Sequence, residues 1–192
     1  MNRQRSRIAL IAVFVGLALI GPGAFAADVP DRVRFVTTAG VIDLELDAAR
    51  APQTVANILD LVDAGFYDGL IFHRIVPGFV VQAGGYDAKM NRREAPRTVQ
   101  NEAANGLKNR KGTVAMARLQ DPDSAGAQFF VNLQDNTNLD RGPGNPGYTV
   151  FGKVTSGMEV VNAIEQVPTQ DVEELSGVPV EPVIIQKAER IK

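Results

Sequence analysis

Apolar and polar residues alternate most cleanly in RVRFVTTAGVIDLELD, residues 32–47, where Ile42, Leu44 and Leu46 are interleaved with Asp43, Glu45 and Asp47. A period of two gives a strand one apolar and one acidic face. With Ala39-Gly40 as the turn, the segment predicts a hairpin. The period then changes. Val55, Ile58, Leu59 and Val62 fall at i, i+3, i+4 and i+7 behind Pro52, which suits a first helical position, and Gly65 is a natural stop. A second helix is predicted from near Ser156. Ser156 and Glu159 have the spacing of a capping box ahead of Val160, Val161 and Ile164.

Short apolar runs at 70–75, 79–83, 113–118, 128–133, 149–154 and 183–189 read as strands, separated by turn signals such as PG, GG, DPDSAG and RGPGNPG. Many short strands with only two helices predict a mainly β fold, a closed or nearly closed antiparallel barrel. Residues 84–112 carry long polar spans without strong periodicity. A loop of that length on a compact domain is a place to look for function.

The first 26 residues follow a different pattern. Arg3, Arg5 and Arg7 precede an apolar run from Ile8 to Ile20, and Ala24-Phe25-Ala26 has the small-x-small form of a cleavage site. The run falls short of the roughly 18 residues wanted for a spanning helix. The expectation is an export signal over 1–26, cleavage after Ala26, and one periplasmic domain over 27–192 with no membrane contact after cleavage; the alternative reading of the apolar run is an uncleaved membrane anchor. There is no cysteine, which excludes lipid acylation, disulfides and thiolate metal sites. The net charge of the whole chain is −2. Loss of three arginines makes the remainder more acidic, and no Lys/Arg cluster stands out in it, so nucleic acid is not an expected partner.

Composition also narrows the chemistry. One histidine and no cysteine cannot build a His/Cys zinc site. The serines of the exported part, Ser124, Ser156 and Ser176, do not sit in a G-x-S-x-G elbow, and no phosphate-binding G-x-x-x-x-G-K-S/T loop is present. What remains is FHRIVPGFVVQAGG, residues 72–85. By periodicity alone it is two strands joined by a Pro-Gly turn, with Arg74 and Gln82 as edge polar residues. The other reading starts from the arginine, a permanent donor set among apolar residues. Rotation about an X–Pro bond makes and breaks no covalent bond. Its barrier of about 18–20 kcal/mol is lost amide resonance. A guanidinium aimed at the prolyl nitrogen favours the twisted amide over the planar one.

The same stretch resembles the active-site segment of the cyclophilins, a family of peptidyl-prolyl cis–trans isomerases. GTVAMARLQDPDSAGAQFFVNL and NLDRGPGNPGYTVFGKVTSGMEVV resemble two further family segments, and the resemblance runs from about Val33 to the C-terminus. It implies an eight-stranded antiparallel β-barrel closed by two helices, and isomerase activity without cofactor or metal. Arg74 takes the place of the catalytic arginine. Phe79, Phe130 and Leu139 match the proline pocket, with Val80 as a wall where many relatives have methionine. Gln82 matches the glutamine that bonds substrate backbone and orients the arginine, and Gln128 lines the groove. Ala117 and Arg118 match an edge whose main chain pairs with the peptide, the guanidinium of Arg118 having no implied role. Tyr148 replaces a histidine, and Asn138 a tryptophan that contacts cyclosporin in eukaryotic relatives. His73 is expected to be structural, since strand neighbours point to opposite faces. The partner implied is a proline-containing polypeptide, the state a monomer, and the role assistance in folding exported proteins. The alternative is a binding module for unfolded or Pro-containing segments that needs no turnover.

Overall fold

The computed structural model describes residues 31–192, so the expected export signal lies outside the described residues. The chain forms β1 (Arg32–Thr37), β2 (Gly40–Leu46), α1 (Pro52–Asp63), β3 (Leu70–Val76), β4 (Val80–Asp87), β5 (Thr113–Met116), β6 (Phe129–Asn132), β7 (Val150–Ser156), α2 (Met158–Glu165), β8 (Thr169–Val172), β9 (Leu175–Pro179) and β10 (Ile185–Ile191). Eight strands build one antiparallel sheet in the order β10-β1-β2-β7-β5-β6-β4-β3, while β8 and β9 pair only with each other. The sheet curls until its edges meet. Ile71 bridges Ile184, and the Phe72 N–H donates to the Val183 carbonyl at 3.0 Å. This is the mainly β, eight-stranded architecture with two helices that the sequence predicts. The β8–β9 hairpin is additional; TQDVEELSGVP has no clear alternation to announce it.

The first hairpin forms as its period requires. Val33 and Phe35 of β1 and Ile42, Leu44 and Leu46 of β2 are buried. On the other face Arg34 donates through Nε and Nη2 to the two carboxylate oxygens of Asp43, each at 2.8 Å. That hydrogen-bonded arginine holds the Asp43 carboxyl below the usual carboxylate range.

Helix α1 begins at Pro52 as predicted, but Ala51 before it has no side chain to cap the exposed N–H groups. Glu102, from the long polar loop, does so. Its Oε1 accepts from the Gln53 N–H at 3.1 Å, and its Oε2 accepts from the Thr54 N–H and hydroxyl at 2.9 and 2.7 Å. A carboxylate there satisfies orphan donors and meets the positive end of the helix dipole. The loop is thereby tied to the body of the domain.

The capping box predicted for α2 does not form. Ser156 is the last residue of β7, paired with Asp43 of β2, and the helix starts at Met158 behind Gly157. The ladder claims Ser156 before the helix can use it. Gly157 makes the turn at φ 88°, where a Cβ would overlap the Val41 carbonyl oxygen.

The main core fills the inside of the curl, with Phe35, Leu44, Tyr67, Phe72, Phe129, Phe151 and Ile164 among its members. A second, smaller apolar cluster of Val80, Ala115, Phe130 and Val150 lies on the opposite face of the same strands.

Candidate active site

Strand β3 supplies the arginine, and its path is irregular where it does so. Phe72 pairs with Ala83 and Arg74 with Gln82, so two steps on β3 match one on β4. This β-bulge explains a spacing that regular alternation cannot. Phe72 and Ile75 are three apart yet both belong to the main core. The two residues between them, His73 and Arg74, both reach Gln82. The expectation that His73 turns away from Arg74 therefore fails. Alternation holds only along an unbroken ladder.

Gln82 joins the polar half of the site. Arg74 Nη1 donates to Gln82 Oε1 at 3.5 Å, and Gln82 Nε2 donates to Gln128 Oε1 at 2.9 Å. The same Nε2 lies 3.5 Å from His73 Nε2. Room for the Gln128 side chain comes from Gly85, where a Cβ would come within 2.5 Å of Gln128 Nε2. His73 is buried, with its ring 4.8 Å from that of Tyr86. Burial pushes the imidazole pKa down to about 4.

The apolar half adjoins it through the ladder. Gln82 faces Phe130 across β4 and β6, and Ala115 faces Phe130 across β5 and β6. Val80, Ala115, Phe130 and Val150 form the floor, and Phe79, Leu107, Ala117, Leu139 and Tyr148 pack against it partly exposed. Phe130 and Tyr148 meet edge to face, with ring centroids 5.8 Å apart. Met116 points the other way, into the core.

Arg118 has a side-chain contact beyond the main-chain role that the resemblance implies. Its guanidinium carbon lies 4.4 Å from the centre of the Tyr148 ring, and Nε donates to the Gly147 carbonyl at 3.1 Å. The side chain braces the Tyr148 ring. The Ala117 N–H is engaged with the Gln128 carbonyl at 2.9 Å, which extends the β5–β6 pairing past the strand ends. A cleft of about 330 Å³ continues from Gln82, Ala117 and Gln128 to Arg92, Glu94 and Thr98. A larger one of about 460 Å³, lined by Asp47, Arg50, Lys108 and Lys153, shares only Leu107 and Val150 with the apolar seat.

Sequence reasoning overlooks the amide ladder that holds the seat in place. Asn136 Nδ2 donates to the Phe79 carbonyl at 2.9 Å and to Asn132 Oδ1 at 2.8 Å, and Asn132 Nδ2 donates to Asn109 Oδ1 at 3.2 Å. Asn109 is fixed in turn by Asp140, whose Oδ1 accepts from its N–H at 2.8 Å. All three asparagines are buried. Their trace in the sequence is the asparagine density of NEAANGLKNRKG and NLQDNTN, which reads as loop until the amides are seen facing inward.

An eight-stranded antiparallel sheet curled on itself, with two helices, is the fold that the resemblance implied. Residues 32–190 match the family model for the cyclophilin type peptidyl-prolyl cis-trans isomerase/CLD. The chain belongs to the cyclophilin family. It is 46% identical over 185 residues to peptidyl-prolyl cis-trans isomerase A of Dickeya dadantii, covering 96% of this chain and 97% of that one. It is 44% identical over 157 residues to peptidyl-prolyl cis-trans isomerase B of Escherichia coli, covering 80% and 96%. Among solved structures it is similar to a Cryptosporidium parvum cyclophilin type peptidyl-prolyl cis-trans isomerase crystallised in the presence of the dipeptide Ala-Pro. That similarity has a TM-score of 0.69 and 28% identity over 84% of this chain and 99% of that one. The cyclophilin described here is thus a peptidyl-prolyl cis–trans isomerase. All ten site residues expected from the sequence fall into the linked polar and apolar halves of one outer face.

Proposed function

We propose that Arg74 is the catalytic residue of this cyclophilin. Phe79, Val80, Gln82, Ala117, Arg118, Gln128, Phe130, Leu139 and Tyr148 bind the proline-containing polypeptide. The observation that carries this reading is the junction at Gln82, which touches Arg74 with its side chain and sits across from Phe130 in the ladder. A pyrrolidine ring seated on Phe130, Leu139 and Tyr148 brings its nitrogen to the polar half. As the amide twists, that nitrogen regains a lone pair and accepts from the guanidinium. The planar amide has no such acceptor, so the contact strengthens only on the way to the transition state. An acceleration of about a hundred thousandfold requires roughly 7 kcal/mol, shared between the charged donor, the desolvated seat and the oriented peptide.

The basic, apolar and small-residue order of residues 1–26 supports export, cleavage after Ala26 and work in the periplasm. X–Pro isomerisation takes tens to hundreds of seconds unaided, so an isomerase there would speed the folding of exported chains. The test is an isomerisation assay on a short X-Pro peptide. Arg74→Ala should lower kcat/KM at least about a hundredfold, or 2.7 kcal/mol, with the melting temperature little changed. Full activity in that variant removes Arg74 from the mechanism. N-terminal sequencing of the exported protein should begin at Ala27; a retained leader would overturn the cleavage reading.

A further inference from the structure

Gln82 lies between groups that differ in how firmly they set its direction. Arg74 can only donate, so it requires the oxygen end of the Gln82 amide. Gln128, at 2.9 Å from the nitrogen end, sets nothing, because its own amide can turn end for end and satisfy either orientation of Gln82. His73 Nε2, 3.5 Å from the same nitrogen, is different. A neutral imidazole with its proton on Nδ1 presents a lone pair at Nε2 and accepts only the nitrogen end. We propose that His73 is a positioning residue: its neutral ring holds the Gln82 amide with the oxygen toward Arg74, and so aims the guanidinium at the substrate. This rests on the assignment of Arg74 as the donor.

The surroundings of His73 suit that task. The side chain is 1% exposed, and the polar groups around its ring are Gln82, Gln128 and the Ile71 backbone. The bulge that lets Phe72 and Ile75 both enter the core also leaves His73 within reach of Gln82 on the Arg74 side. The charged and titratable neighbours are Arg74 on β3 and Tyr86 on β4. Burial is the main influence keeping the ring neutral, with its pKa near 4, and Arg74 adds to it. The Ile71 backbone and the Gln128 side chain act the other way, each more than Arg74 does. Were the ring protonated, Nε2–H would donate, Gln82 would turn end for end, and its NH2 would face the guanidinium.

The experiment compares kcat and KM across pH for wild type, His73→Phe, His73→Gln and Arg74→Ala, with far-UV circular dichroism at each pH. His73→Phe keeps a ring against Tyr86 and removes the acceptor. It should lose about three- to tenfold in kcat/KM, chiefly in kcat, the range expected for one positioning hydrogen bond. His73→Gln retains an acceptor and should recover most of that loss. Wild type should also lose activity on acidification toward pH 4 while folded, a limb that His73→Gln lacks. Wild-type kcat/KM in folded His73→Phe overturns the proposal. Should His73→Phe not fold, the acid limbs decide, and identical limbs in wild type and His73→Gln overturn it. Unchanged activity in Arg74→Ala would instead overturn the assignment of Arg74, whatever the His73 variants do.

Discussion

Phe129 and Phe130 are neighbours on β6, and both are nearly hidden from water, at 2% and 4% exposure. They nevertheless serve different parts of the molecule. Phe129 points into the main core, where its ring lies 5.3 Å from Phe35 and 5.7 Å from Tyr67. Phe130 points out, onto a cluster whose remaining walls, Phe79, Leu139 and Tyr148, stay partly open. The core closes on itself on every side. The outer cluster is covered by a rim of partly exposed residues, so apolar surface stays open to solvent there. The same contrast runs through Val81 and Val80 on β4 and through Met116 and Ala115 on β5. Burial alone does not separate a stabilising residue from a binding one; what lies beyond its exposed rim does.

Three substitutions test this contrast. Phe129→Ala should have the largest effect, a loss of about 3–5 kcal/mol of stability from lost transfer energy and a cavity the rigid curl cannot collapse. Denaturant titration reads it, and activity should survive in proportion to the folded fraction. Phe130→Ala should invert that order. It should lower kcat/KM by tenfold or more, because the proline seat loses its floor, while costing about 1–2 kcal/mol of stability on a face the rim already leaves partly open. If Phe130→Ala destabilises as much as Phe129→Ala and leaves the folded enzyme fully active, the outer cluster is merely a second core. Asn136→Ala should be smallest. It removes a donor to the Phe79 carbonyl, which still accepts from the Leu133 N–H at 2.9 Å, and the donor to Asn132 Oδ1. About 1 kcal/mol of stability and a two- to threefold rise in KM are expected, the latter measured by peptide titration of the rate.

The helix ends add to the lesson. Pro52 announces α1 correctly because a proline at a helix start acts within one turn of chain. Ser156 and Glu159 announce a cap that does not form, because β2 competes for Ser156 from more than a hundred residues away. The cap that α1 does use, Glu102, lies about fifty residues down the chain in a stretch that reads as plain polar loop. Local signals are reliable where no distant segment wants the same groups.

Read alone, the chain carries the paired strands of the first hairpin, the start of α1, the many-stranded architecture and, through three ordered segments, the family. Those features rest on side-chain period and on chemistry carried by contiguous residues. Tertiary structure alone decided the rest: the bulge that sets His73 beside Arg74, the stacking of Arg118 on Tyr148, the inward-facing amides under Phe79, and the partition of Phe129 from Phe130. Each depends on register between strands far apart in the chain. A one-residue shift in register exchanges the two faces of a strand, and nothing local to FHRIVPGFVVQAGG records where that shift occurs.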